Sequence, residues 1–182
     1  MALQPWKKLR QQDLIVNGWW TYRKDDYELP GGKGGEYHYV HTEGASLVIP
    51  ILGDGSLVLV RQYRYLCSRE SLEFPCGGVK RGSSYEETAA AELREEAGYE
   101  ARVMRRVGEF NPYNGITDEI CRVYLASELT QVGHAREVTE EMELEVLSTA
   151  AVEGKIRSGE IWDGMTLAAW TLAAPSLQPR GL

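Results

Sequence analysis

Cysteine is scarce: three in 182 residues, at positions 67, 76 and 121, an odd number with no CxxC pair and no histidine at zinc-ligand spacing. That argues against a disulfide framework and a structural zinc, and leaves Cys67, Cys76 and Cys121 as buried or incidental thiols. Long apolar runs are missing too, since nothing nears the ~18 residues needed to cross a bilayer. Basic residues are in deficit, 20 Lys and Arg against 27 Asp and Glu, for a formal net charge of −7. With no basic stripe to offset that acidity, a nucleic-acid backbone is not expected as the main partner. Hard cations arriving with a phosphorylated small molecule suit the charge better. The opening "MALQPWKKLRQQ" lacks the signal-peptide order of charge, apolar stretch and small-residue cleavage site, so the expectation is a cytoplasmic chain without a membrane partner.

What remains reads as one ordinary globule with a small appendage. At 43% hydrophobic and 26% charged residues the chain has enough apolar material for a real core. Residues 13 to 43 alternate aromatic and polar positions around "PGGKGG", which predicts two strands and a glycine-rich turn. No Gly-Lys-Ser/Thr sequence follows, so this is not a phosphate-cradling loop. "SLVIPIL" and "LVLVRQY" flank "GDGS", a hairpin signal. "SLEFP" extends into the glycine-rich "CGGVKRGSS". From Ser84 to Ala97 the period turns helical, with Ser83–Glu86 or Ser84–Glu87 as a capping box and Gly98 at the left-handed cap. Strand patterns return at "YEARVMRRVGEF", "EICRVYLASEL" and "EMELEVLS". Two helices close the chain near 148–158 and 164–174, the second offering Met165, Leu167, Trp170 and Leu172 to the core. The order of strands, helix, strands and helices predicts a mixed α/β (α+β) fold. Residues 1–44 form an N-terminal β region and 45–182 the main domain.

The stretch "AAELREEAGY" carries Glu92, Glu95 and Glu96 at offsets of three and four, which puts them on one helical face while Ala89, Ala90, Leu93 and Ala97 turn to a core. Each like-charge pair costs about 0.2–0.5 kcal/mol on an exposed helix. The last turn is also where the helix dipole disfavours anions. Water can dissipate that repulsion, or a cation can collect on it. Oxygen-only ligands on one face suit Mg²⁺, with Mn²⁺ as the alternative. Gly77 and Gly78 keep the approaching loop open to a diphosphate.

The run from Gly77 to Tyr99, "GGVKRGSSYEETAAAELREEAGY", resembles the Nudix box: Gly, five residues, Glu, seven residues, then Arg-Glu-apolar-x-Glu-Glu-x-Gly-apolar. Gly77, Glu92, Leu93, Glu95, Glu96, Gly98 and Tyr99 fall in register. Ser83 stands where the box has its first Glu, and Ala91 where it has Arg. In the family those two tie loop to helix; losing both together is milder than leaving one buried charge unpaired. "GDGSLVLVRQYRY", "ESLEFPCGG", "GEFNPYNGITDEICRVYLA" and "KIRSGEIWDGMTLAAW" are similar to the ADP-ribose and nucleotide-sugar diphosphatase branch.

The resemblance implies a Nudix-type α/β/α sandwich with a mixed central sheet and an N-terminal antiparallel strand region. It implies a homodimer hydrolysing the diphosphate of ADP-ribose or a nucleoside diphosphate sugar, giving a nucleoside monophosphate and a sugar phosphate. It makes Glu92, Glu95, Glu96 and the Cys76 carbonyl metal ligands, with Glu95 also able to hold the metal-bound water. The general base is expected in 133–146, at Glu140 or Glu141, then Glu137. Arg61, Arg64, Glu73, Gly77, Gly78, Asn114 and Gly115 are expected to border the substrate. Asn114 stands where ADP-ribose specialists usually carry proline, which shifts weight toward nucleotide sugars. Trp20, beside Trp19 and Tyr22, would contact the base or a second subunit. His38 and His41 are read as strand residues rather than metal ligands. Two rivals stay open: a catalytically weak nucleotide-metabolite sensor, and a triphosphate or RNA-cap pyrophosphatase.

Overall fold

The structure is a computed structural model that describes residues 3–133 and 142–177. The chain divides into two compact units, Met1–Glu43 with Asn111–Glu119, and Gly44–Phe110 with Ile120–Leu182. In the first, β1 (Lys7–Val16), β2 (Thr21–Glu28) and β3 (Gly34–His41) form an antiparallel sheet in that order. Sequence patterning finds β2 and β3 but not β1, because "KKLRQQDLIV" is exposed nearly throughout and carries no alternation. Asn111–Glu119 belongs to this unit: Tyr37 Oη donates to the Gly115 carbonyl at 3.2 Å, His41 Nδ1 meets Asp118 Oδ2 at 2.8 Å, and Thr42 Oγ1 donates to Glu119 at 3.0 Å.

In the second unit β4 (Ala45–Pro50) lies at the centre of a mixed sheet, β7-β4-β9-β8, parallel to β9 (Cys121–Gln131) and antiparallel to β7 (Cys76–Gly78). β8 (Tyr99–Phe110) closes the far edge. A second, antiparallel sheet has the order β10-β5-β6, from β10 (Met142–Leu147), β5 (Leu57–Arg64) and β6 (Arg69–Glu73). The Asp-Gly turn does form, with Leu52 N donating to the Ser56 carbonyl at 2.8 Å. The hairpin expected across it does not: only Ile51 and Leu57 bridge, and the two strands enter different sheets. β4 and the first half of β5, Leu57 to Val60, are buried on both faces, and β4 takes β7 and β9 as neighbours, so the turn joins two layers rather than two rungs of one ladder.

Alternating residues of β4 and β5 build two cores. Leu47, Ile49, Leu57 and Leu59 join Phe74, Val123, Val152 of α2 (Thr149–Ser158) and Trp170 of α3 (Gly164–Leu177). Val48 and Val58 instead join Ala89, Leu93, Ala97 and Tyr124 on the side of α1 (Tyr85–Glu92). Helices on both faces of the strands make the expected mixed α/β architecture, and each fully buried Leu, Val or Phe contributes roughly 1.5–3 kcal/mol. Of the expected core residues on α3, Trp170 is buried, and Met165, Leu167 and Leu172 pack partly buried around it. On α1 one assignment changes: Ala90 is exposed, and Thr88 is buried instead. No described helix is long and apolar enough to cross a membrane.

Candidate active site

The glycine-rich segment and the acidic helix meet at the edge of the mixed sheet. "CGG", expected as loop, is a three-residue strand whose Cys76, Gly77 and Gly78 pair with Leu47, Ser46 and Ala45. α1 opens on a capping box, and the structure chooses Ser84: its Oγ accepts from Glu87 N at 3.2 Å, and Glu87 Oε2 accepts from Ser84 N at 2.8 Å. Such a cap is worth about 1 kcal/mol. The expected helix to Ala97 changes winding after Glu92: Leu93–Ala97 is a π turn that ends on Gly98 at φ 76°. Wide turns of this kind recur at functional sites. Here the turn buries Leu93 and Ala97 in the core and Glu96 together with them.

Glu96 is 5% exposed, and its Oε2 accepts from Cys76 N at 3.1 Å. Glu92 reaches the next residue of the strand: a Cβ at Gly77 would stand 1.9 Å from Glu92 Oε1, so only glycine fits beneath this carboxylate. Glu95 is half-buried on the same turn. Contact with Cys121 and burial push the Cys76 thiol up, and the nearby Glu96 and Glu92 push it the same way, so it is neutral. All three cysteines are free.

Among the described residues no three His, Cys, Asp or Glu side chains group closely enough to hold an ion by themselves. Glu92, Glu95 and Glu96 therefore do not close a three-carboxylate cage as their helical spacing suggests, and Glu92 and Glu96 are the two that reach the Cys76–Gly77 backbone. Two carboxylates converging on the Cys76–Gly77 backbone, where Gly77 has no side chain and the Cys76 thiol is neutral, offer oxygen donors that fit a hard divalent ion.

Arg64 and Glu73 form the neighbouring charge pair. Arg64 Nε donates to Glu73 Oε1 at 2.7 Å, a second guanidinium nitrogen bonds Glu73 Oε2, and Glu73 is 3% exposed. The hydrogen bonds to Glu73 hold Arg64 above its usual value against the opposing effect of burial, with Asp163 and Glu96 adding attraction. Sequence reasoning missed Asp163. Its carboxylate accepts from Thr166 N at 2.7 Å to cap α3, and Thr166 Oγ1 accepts from Phe74 N at 3.3 Å, tying α3 to "LEFPC". The signal was there: Asp163 stands just ahead of a helical pattern.

Arg61 is not at this cluster. Its Nε donates to Glu145 at 2.6 Å and a terminal nitrogen to Glu160 at 3.1 Å, an ion-pair network joining β5, β10 and the end of α2. Gly78 is exposed at the end of β7. In the first unit, Asn114 lines a depression of about 420 Å³ with Lys8, Asp25, Tyr37 and Tyr39. Gly115 holds Tyr37. Trp19 and Trp20 lie in the β1–β2 turn, 85% and 40% exposed, their backbone N–H groups both bonded to Asn17 Oδ1 at 2.8 Å. Tyr22 is in β2, bonded to His38 of β3 at 3.0 Å. The candidate bases Glu137, Glu140 and Glu141 lie outside the described residues.

A sandwich of this topology, with carboxylates from one helix set against a glycine-bearing strand, defines a class, and the sequence assigns the chain to it. The NUDIX domain family model matches residues 41–163, and the chain belongs to that family. It is 33% identical over 144 residues to an ADP-ribose pyrophosphatase of Bacillus subtilis (strain 168), covering 78% of each chain. It is 29% identical over 171 residues to an ADP-ribose pyrophosphatase of Mycobacterium tuberculosis, covering 92% of this chain and 83% of the other. A methanol dehydrogenase activator of Bacillus methanolicus is 32% identical over 80% of each chain. The fold matches a crystal structure of an ADP compounds hydrolase at a TM-score of 0.82, with 19% identity over 97% of this chain and 96% of that one.

Proposed function

We propose that this chain is a Mg²⁺-dependent Nudix hydrolase that cleaves the diphosphate of ADP-ribose or a nucleoside diphosphate sugar into a nucleoside monophosphate and a sugar phosphate. One observation carries the reading: Glu92 and Glu96 are delivered to the Cys76–Gly77 backbone at a glycine that leaves no room for a side chain. The relatives named as ADP-ribose pyrophosphatases support the substrate class. Glu92, Glu96 and the Cys76 carbonyl would hold the ion, and Glu95 would hold the ion or its water. A bound divalent ion supplies charge neutralisation at phosphate oxygens and a more acidic water. Arg64, already oriented by Glu73, offers a cation to the diphosphate. Glu140 or Glu141 would take the proton from the attacking water. Gly77 and Gly78 admit the diphosphate.

The test is a panel of ADP-ribose, ADP-, GDP- and UDP-sugars and triphosphates with Mg²⁺ in ¹⁸O-water, read by mass. The expected result is Mg²⁺-dependent release of nucleoside monophosphate, with the label showing which phosphorus is attacked. Release of pyrophosphate from triphosphates would replace this reading with a pyrophosphatase. ADP-ribose binding without turnover would replace it with a sensor.

The N-terminal β region is, in this reading, where two copies meet and where Trp20 contacts the base. β1 is an edge strand of its sheet, and Leu14, Ile15 and Val16 are consecutive and exposed, with Trp19 beside them. Apolar edges of this kind are costly unless covered. Light scattering should give a dimer for the wild type and a monomer for Ile15→Lys with Val16→Glu; a monomeric wild type removes the assignment. Three unpaired thiols are in keeping with a cytoplasmic location.

A further inference from the structure

We propose that Tyr85 is a positioning residue for the carboxylates: by fixing the first turn of α1 on β4, it sets how far along its axis the helix delivers Glu92 and Glu96 to β7. The inference rests on the reading of those glutamates as metal ligands, and extends it to the opposite end of the helix.

The ring of Tyr85 is held on two sides. A Cβ at Gly44 would stand 2.3 Å from the Tyr85 hydroxyl oxygen and 2.7 Å from Cζ, so the ring occupies the space of the missing side chain. The Arg122 guanidinium lies over the ring at 4.0 Å. The backbone of Tyr85 is held as well, since buried Ser46 donates from Oγ to the Tyr85 carbonyl at 2.6 Å.

The residues that grip Tyr85 also grip the strand. The Gly44 carbonyl accepts from Val79 N at 2.8 Å, and Ser46 pairs with Gly77. Helix and strand therefore take their positions from the same two residues at the start of the β4 segment. The far end of the helix then returns to that strand, through Glu92 at Gly77 and Glu96 at Cys76.

A helix transmits displacement along its axis with little loss, so a slip at Tyr85 reappears at Glu92, roughly 10 Å further on at 1.5 Å per residue. A misplacement of about 1 Å is enough to cost a site about 100-fold. The capping box cannot set this position, because its hydrogen bonds run only between Ser84 and Glu87 and keep the helix wound without saying where it sits. Ser83 and Ala91 are uncharged, so no ion pair at those positions ties the loop to the helix. The Tyr85 clamp acts with the packing of Ala89 and Leu93 on Val48 and Val58, and among the described residues it alone fixes the first turn to the residues that also hold β7.

The test measures Mn²⁺ binding to the full chain by electron paramagnetic resonance without substrate, alongside circular dichroism. Tyr85→Ala should weaken Mn²⁺ binding about ten-fold or more while the fold is kept. Tyr85→Phe keeps the ring and loses only a hydroxyl that makes no hydrogen bond among the described residues, so it should stay within about two-fold. Val152→Ala, a truncation in the other core cluster, should also stay within about two-fold. Wild-type affinity in Tyr85→Ala overturns the proposal, and so does an equal loss in Val152→Ala, because then any loosening of the fold weakens the ion. Should Tyr85→Ala not fold, Ser46→Ala decides: a loss of about five-fold supports the clamp, and unchanged binding overturns it. A wild-type chain that binds no Mn²⁺ would overturn the functional reading itself, whereas the variant results bear on the clamp alone.

Discussion

Glu96→Gln is expected to lower kcat for diphosphate hydrolysis by about three orders of magnitude, equivalent to ~4 kcal/mol of transition-state stabilisation, while the chain stays folded. The fold should survive because the hydrogen bond to Cys76 N asks only for an acceptor oxygen, and glutamine has one. That same bond explains the size of the loss. Cys76 N–H selects the amide oxygen and so turns the amide NH₂ toward the space where the carboxylate charge was needed. In the proposed ion-binding role, this exchanges a ligand for a group that repels cations. Glu92→Gln should fall by a similar factor. The double variant should fall by much less than the product, because groups that act on one centre are not additive. Thermal unfolding should show both single variants at or slightly above the wild-type midpoint, since each removes like-charge repulsion from the last turn of a helix. Activity within ten-fold of the wild type for Glu96→Gln would mean that the buried carboxylate serves only to hold β7.

Much of this site was legible before any coordinates, because its signals are local. Helical spacing singled out Glu92 and Glu96, which meet the Cys76–Gly77 backbone, and Gly98 and the serine cap marked where the helix had to end and begin. Turn chemistry found the Asp-Gly reversal at 53–56. What the sequence left open depends on partners far along the chain. Which sheets β4 and β5 enter is decided by β7, β9, β6 and β10, and no local rule names them. β7 is only three residues long and is a strand because Leu47, Ser46 and Ala45 lie beside it. β1 hides for the opposite reason: exposed, with its apolar Leu14, Ile15 and Val16 consecutive, it offers no alternation to read. Arg61 and Arg64 look alike in "VRQYRY" and have different fates. Arg61 goes to Glu145 and Glu160, 84 and 99 residues away, whereas Arg64 takes Glu73 from the adjacent strand. Two arginines three apart on a strand point to opposite faces, so only the strand's surroundings separate their roles. The π turn is the remaining gap, since α and π windings draw on the same residues and differ in whether an N–H reaches back four residues or five, as Gly98 N–H does to Arg94 and Leu93.

Gly77→Ala should separate catalysis from stability more sharply than any charge substitution. The added methyl would meet Glu92 Oε1 at 1.9 Å, Cδ at 2.2 Å and Oε2 at 2.8 Å, with no backbone atom among those contacts. Something must move, and the tip of a glutamate moves cheaply by changing rotamer. The structure therefore tolerates the methyl, and the midpoint of thermal unfolding should change by no more than a few degrees, in line with a cost of about 1 kcal/mol for this size of chain. The carboxylate cannot tolerate the move, because the position it leaves is the one over the Cys76–Gly77 backbone. Hydrolysis should drop about 100-fold or more, the usual result of a displacement of about 1 Å in a ligand group. Because Glu92 keeps its charge, excess Mg²⁺ should recover part of the activity in Gly77→Ala and much less in Glu92→Gln, where a ligand is gone. Pairing the two variants in one Mg²⁺ titration thus distinguishes a displaced ligand from a missing one. If Gly77→Ala unfolds with its activity per folded molecule intact, the glycine is there for the strand, and the carboxylate above it has some other purpose.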